Sequence, residues 1–200
     1  MGITSQQLAR IQERLEGRAA RRRAVRPETP VAAAHRILLG IDPSLRGTGY
    51  GVVRLAGSEP AAVAHGTILC PAAWAQSRCL ARIAEVVREI IARHRPTVCV
   101  VEGLFHAQNI KTALIMGQAR GAALAMAAQA GLPIYELAPR RVKQAVVGHG
   151  AAGKDAVARM IQRQLRLTEV PASDAADALA VALAFIQSQG RHQLTRLKEI

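Results

Sequence analysis

Eleven of the chain's fourteen acidic residues lie beyond residue 36, and four of them stand where a solvated surface acid is least expected. Asp42 ends the apolar run Ile37-Leu38-Leu39-Gly40-Ile41, and Glu102 ends Val98-Cys99-Val100-Val101. Asp174-Ala-Ala-Asp177 opens a third apolar stretch, and an i, i+3 spacing puts both side chains on one face of a helix. An ionised carboxylate at the end of a buried strand requires a hydrogen bond, a counter-charge or a metal ion. If the two strands are neighbours and the helix crosses their ends, four carboxylates converge. Like charges so close raise one another's pKa. Divalent cations relieve that repulsion, and an all-oxygen donor set suits Mg²⁺ or Mn²⁺. Two such ions about 3.5–4 Å apart can activate a water and stabilise the leaving oxygen of an in-line phosphodiester displacement. Taken singly, each acid has a plainer explanation. Asp42 can close a turn with Pro43, Asp174 can serve the helix dipole behind an N-cap at Ser173, and Asp177 can be a surface acid.

The elements that must position these acids follow from apolar periodicity. Residues 37–42 predict a first strand. Gly47-Thr48-Gly49 predicts the turn of a hairpin, with 50–55 as its second strand. Residues 61–70 predict a third strand, 74–94 a helix stopped by Pro96, and 97–102 a fourth strand. An Ala-rich helix over 108–130 closes at Gly131, and 133–137 predicts a fifth strand. Helices over 139–147, 154–166 and 173–187 complete the order β-β-β-α-β-α-β-α-α-α. Three antiparallel strands followed by alternating α and β predict an α/β fold, a mixed five-stranded sheet flanked by helices.

Composition narrows the partners. The net charge is +13, which favours a polyanion, with nucleic acid ahead of an anionic membrane surface. Residues 1–36 carry eight Arg against three Glu, a charge of +5, which leaves +8 for the remainder. This extension reads as a flexible leader or over-extended start, with a nucleic-acid-binding arm and an Arg-rich transit peptide as alternatives. The folded domain is expected over 37–187, followed by a polar, fraying tail over 188–200. The most apolar long stretch, 113–132, is interrupted by Gln118, Arg120 and Gln129, so no membrane span is expected. No secretory signal is visible at the N-terminus. Cys70, Cys79 and Cys99 have no CxxC spacing, and Cys70 and Cys99 read as small buried hydrophobes of a reducing compartment. The expected location is the cytoplasm.

Several motifs occur in a fixed order: Gly40-Ile41-Asp42-Pro43, Thr48-Gly49-Tyr50-Gly51, Val101-Glu102, Gly117-Gln-Ala-Arg-Gly121, Val142-Lys143-Gln144 with Val147-Gly148, and Asp174-Ala-Ala-Asp177-Ala-Leu-Ala. This ordered set, from about residue 37 to 185, closely resembles the RuvC family of bacterial Holliday-junction resolvases. The resemblance implies an RNase H-like fold and a homodimer that makes paired Mg²⁺-dependent nicks in two strands of a four-way DNA junction, in recombination and repair. It implies two Mg²⁺ per subunit, replaceable by Mn²⁺, held by Asp42, Glu102, Asp174 and Asp177 as the catalytic acids. Phe105 falls where the family places an aromatic that stacks on an unpaired base, although a core phenylalanine is the plainer reading. Lys143 and Lys154 match basic residues near the scissile phosphate, with Arg140 and Arg141 as further DNA contacts. The GxxxG-bearing helix corresponds to the family's dimer interface, whereas alone it suggests close helix–sheet packing. The RuvA–RuvB branch-migration complex is a candidate partner.

Ser44 departs from the glycine usual after Asp-Pro, which predicts a shifted turn, and Gly153 stands where a polar residue is common. The alternatives are a junction-binding paralogue without activity, which should have lost an acid, and another RNase H-like nuclease. An actin-like ATPase would need a second similar domain.

Overall fold

In the computed structural model, the structure describes residues 35–57, 59–103, 110–190 and 198–200. Residues 1–34 of the basic extension, Phe105 and the segment 191–197 lie outside the described residues. The described body begins at His35, where the chain divides from Met1–Ala34.

One sheet organises this body, in the order β3-β2-β1-β4-β5-β6. Its strands are β1 (Ile37–Asp42), β2 (Gly47–Ala56), β3 (Glu59–Leu69), β4 (Val98–Glu102), β5 (Ile134–Leu137) and β6 (Lys198–Glu199). The first three are antiparallel, β4 runs parallel to β1, and β5 parallel to β4. The helices are α1 (Gln76–His94), α2 (Ile110–Gln129), α3 (Pro139–Val147), α4 (Lys154–Gln164) and α5 (Ser173–Gly190). Element order and the mixed five-strand arrangement agree with the sequence expectation, and a two-residue sixth strand is added at the edge.

Two expectations change. Gly47-Thr48-Gly49 is not a turn but the start of β2, in register with Leu69, Ile68 and Thr67. The connection after β1 is instead Pro43-Ser44-Leu45-Arg46, braced by Thr48, whose fully buried hydroxyl donates to the Ser44 carbonyl at 2.5 Å. The C-terminal residues also differ from a fraying tail: α5 extends to Gly190, and Lys198–Glu199 pairs antiparallel with β5.

Strand alternation divides the core into two layers. Leu39, Ile41, Cys99 and Val101 face one side and pack with Cys79, Ile83 and Val87 of α1 and Ala119, Ala123 and Ala127 of α2. Leu38, Gly40, Val98 and Val100 face the other side, where α5 lies, as do Asp42 and Glu102 by the same alternation. From Ala175 to Phe185 nearly every residue of α5 is buried, as expected of a helix apolar all round. Gln187 of α5 donates to Gln164 of α4 at 2.9 Å, and Gln164 donates to the Val146 carbonyl of α3. All three cysteines are free and buried. Among the described residues no helix is long and apolar enough to cross a membrane.

The approach of α5 to the sheet is the closest constraint. A methyl group on Gly40 would lie 2.1 Å from the Ala178 carbonyl oxygen, and one on Gly49 would lie 1.9 Å from that of Asp174. On Gly51 it would meet the Leu179 side chain at 2.7 Å. Backbone cannot yield as a flexible side chain does, so α5 as a whole would have to move. Gly40→Ala is therefore expected to destabilise the protein by about 3 kcal/mol or more, measured by urea denaturation. Gly153→Ala, where a methyl group meets nothing within 4 Å, should change stability by less than about 1 kcal/mol.

Candidate active site

Asp42 and Glu102 stand at the carboxyl ends of two adjacent parallel strands. The last rung between them is Ile41 with Val101, so the two acids follow side by side. Across β1 and β2, Asp42 is opposite Gly49, the glycine on which Asp174 of α5 rests. A methyl on Gly47 would lie 2.8 Å from Asp174 Oδ2. One turn into α5, Asp177 projects from the same face as Asp174. The glycine-floored packing thus carries the helical acids to the ends of β1 and β4.

The electrostatics show how close this grouping is. Burial raises the Asp42 carboxyl to about 6, with further upward pushes from Asp177 and Asp174 and a downward pull from Lys154. Glu102 is raised to about 7, again first by burial, then by Asp42 and Asp177, against Lys143 and Lys154. Asp177 is raised by burial in spite of an ion pair with Lys154, Nζ to Oδ2 3.3 Å. In return the Asp177 charge raises Lys154. Burial prevails at Asp177 because its side chain is 22% exposed, whereas the Lys154 ammonium at 68% keeps much of its hydration.

Such a set is short of positive charge. Its donors are all oxygens, it is anchored on a sheet and a buried helix, and two lysines supply part of the missing charge. These features fit hard divalent cations. Among the described residues no group of three or more His, Cys, Asp or Glu side chains is arranged as it stands to hold an ion. The acids are near enough to repel one another, and Lys154 is ion-paired with Asp177.

The basic residues divide. Lys143, on α3, and Lys154, the first residue of α4, act on the acids. Arg140 turns toward the loop after α3, where a methyl on Gly150 would lie 2.6 Å from its Cγ. Arg141 is half-buried on α3 beside it. Phe105 lies outside the described residues.

Sequence reading missed the residues that brace the Asp42 turn. Thr48 bonds both the carbonyl and the amide of Ser44, at 2.5 and 3.2 Å. Arg46 donates to the Pro71 and Trp74 carbonyls at 2.6 and 3.1 Å, tying this turn to the start of α1. The only prior signal was the threonine in Thr-Gly-Tyr-Gly, which was read as turn chemistry.

The family model described as crossover junction endodeoxyribonuclease RuvC matches residues 38–185. A crossover junction endodeoxyribonuclease RuvC of Alkalilimnicola ehrlichii is 48% identical over 149 residues, covering 74% of this chain and 90% of the relative. The corresponding protein of a Geobacter species, strain M21, is 45% identical over 160 residues, covering 80% of this chain and 98% of the relative. Among solved structures, T. thermophilus RuvC in complex with Holliday junction substrate superposes with a TM-score of 0.74 at 35% identity, covering 83% of this chain and all of that one. With this extent of agreement in sequence and in architecture, the chain belongs to the RuvC family and its mixed sheet is the family's RNase H-like fold.

Proposed function

We propose that this protein resolves four-way DNA junctions by hydrolysing phosphodiester bonds in two strands, with Asp42, Glu102, Asp174 and Asp177 as its metal-binding acids. The observation that carries this reading is the convergence of Asp42, Glu102 and Asp177 at the ends of β1, β4 and α5, in a member of the RuvC family. A non-catalytic junction binder has no use for three half-buried, mutually repelling carboxylates, which lower stability unless they are loaded.

Asp42, Glu102, Asp174 and Asp177 would hold Mg²⁺ or Mn²⁺, two per subunit, and bound ions would supply an activated water and charge stabilisation at the leaving oxygen. Asp42 serves best as the shared ligand, because it is central, between Glu102 on one side and the α5 acids on the other. Lys154 offsets the acid charge and lies where it can meet the scissile phosphate. Lys143 acts on the same acids from α3, and Arg140 and Arg141 extend a basic surface away from the site for the phosphate backbone. Phe105 follows Glu102 by three residues, a placement suited to stacking on a base, worth about 1–3 kcal/mol.

Two-fold symmetry addresses two strands of like polarity, and the outer face of α2 supports a homodimer. Ile110 and Leu114 are 81% and 62% exposed, and a methyl on Gly117 or Gly121 would meet nothing within 4 Å. These residues recur at helical spacing along one stripe. Among the described residues, nothing packs into the space beside these glycines. The RuvA–RuvB complex is a candidate partner by family membership, and membership of a family of DNA-processing nucleases is consistent with a cytoplasmic location.

Asp177→Asn is expected to abolish Mg²⁺-dependent nicking of a four-way junction while leaving junction binding near wild type, measured by cleavage and mobility-shift assays. Loss of binding together with nicking would count against a metal role. Leu114→Glu should convert a dimer to a monomer in analytical ultracentrifugation and uncouple the paired nicks. A third expectation concerns pH. Asp42 and Glu102 are raised from ordinary values of 3.8 and 4.5 to about 6 and about 7. The unfolded chain therefore loses these protons first as pH rises. Their contribution to stability is full below the ordinary values, falls through this window and is lost above about 7. Urea denaturation in EDTA should show that decline for wild type and a shallower one for Glu102→Gln, and Mg²⁺ should reverse it.

A further inference from the structure

The end of β4 is held by a side chain from the opposite layer. Glu102 lies one step past the last rung that β4 makes with β1. Its carbonyl oxygen accepts a hydrogen bond from Arg120 Nη1 of α2 at 2.6 Å. The other arm of the same guanidinium, Nη2, pairs with Glu136 Oε2 on β5. Arg120 is 11% exposed and Glu136 30%, so this is a largely desolvated contact and not a surface ion pair. Gly103 makes room for it, since a methyl there would lie 3.3 Å from the Glu136 carboxyl carbon. The Gly103 amide donates to the Leu137 carbonyl at 2.8 Å, so both sides of the Glu102–Gly103 peptide are tied.

We propose that Arg120 is a positioning residue for Glu102, with Glu136 as the group that orients its guanidinium. The proposal rests on the nuclease reading above. Arg120 acts through the backbone. The cations that act on the Glu102 carboxyl are Lys143 and Lys154, whereas Arg120 fixes the plane of the peptide that follows it. That plane constrains the Glu102 backbone from which its side chain projects. A guanidinium suits the task because its rigid fork reaches a carbonyl and a carboxylate at once, which an ammonium on a flexible stem does not.

The test compares wild type, Arg120→Lys and Glu136→Gln. Single-turnover cleavage of a four-way junction in Mg²⁺, junction binding in EDTA, Mn²⁺ binding by electron paramagnetic resonance and thermal melting are measured for each. Arg120→Lys keeps the charge, and Glu136→Gln keeps the shape and one acceptor oxygen. Both are expected to slow cleavage by about 10–100-fold and weaken Mn²⁺ binding, with junction binding unchanged. Arg120→Lys should be the more severe. If Arg120→Lys fails to fold, Glu136→Gln decides the question by the same measurements. Cleavage and Mn²⁺ binding at wild-type levels in a folded variant would overturn the proposal. So would losses that merely track a fall in melting temperature and junction binding, because those mark a packing role. Failure of wild type to cut any junction would instead overturn the nuclease reading.

Discussion

The distance between α5 and the backbone of β1 and β2 is the constraint on which the site depends. An ordinary helix–sheet contact is separated by two layers of side chains, but here the carbonyls of Asp174 and Ala178 occupy the space that a Cβ on Gly49 and Gly40 would fill. The helix can approach so closely because its contacting residues are small and the strands present glycine. Asp174 and Asp177 belong to the first turns of this helix, so the depth of its seating sets their distance from Asp42. Packing and charge therefore oppose one another at a single place. The apolar surface buried along Ala175–Phe185 draws the helix in, and the acids at its N-terminal end resist.

Such opposition is tolerable only where charge balance can be restored. Lys154 provides part of it from the start of α4, and Lys143 part from α3, both on the same side of the sheet as α5. Neither offsets the burial of Glu102, which pushes its carboxyl up to about 7. The lysines thus offset the acids only in part, leaving a site short of positive charge.

Much of the architecture was legible because the elements are strongly patterned. Ile37–Asp42 and Pro139–Val147 have the same bounds in sequence and structure, the first an apolar run stopped by Pro43 and the second an amphipathic helix opened by Pro139 and closed at Gly148. Asp42 and Glu102 stood out because a carboxylate at the end of an apolar strand has few explanations, and Asp174 and Asp177 because their i, i+3 spacing puts them on one face at the head of a helix. The misreadings at glycine share one cause, which is that glycine has two uses. At 47 and 49 it was read as turn chemistry, whereas the structure uses the missing side chain to admit α5. At 117 and 121 it suggested packing within the chain, and the structure leaves those positions open. Local sequence does not distinguish these uses, because what approaches a glycine is decided by distant segments. Arg120 was illegible for the same reason: a lone arginine in an Ala-rich helix reads as solvated until the fold places Glu102 and Glu136 before it.

The position of the site follows from topology as much as from residue type. After β1 the chain turns back through β2 toward one edge of the sheet, whereas after β4 it crosses through α2 to β5 on the other side. The connections therefore diverge from the ends of β1 and β4, the topological switch point at which open α/β sheets form a ligand-binding crevice. Asp42 and Glu102 are the residues that the two strands deliver to its floor. The glycines that seat α5 and the guanidinium that braces β4 act on opposite sides of this crevice, one bringing the helical acids in and the other fixing the strand acid. A site built this way takes its precision from the sheet while leaving its mouth to loops. An extended DNA substrate can reach such a mouth without disturbing the sheet on which the acids stand.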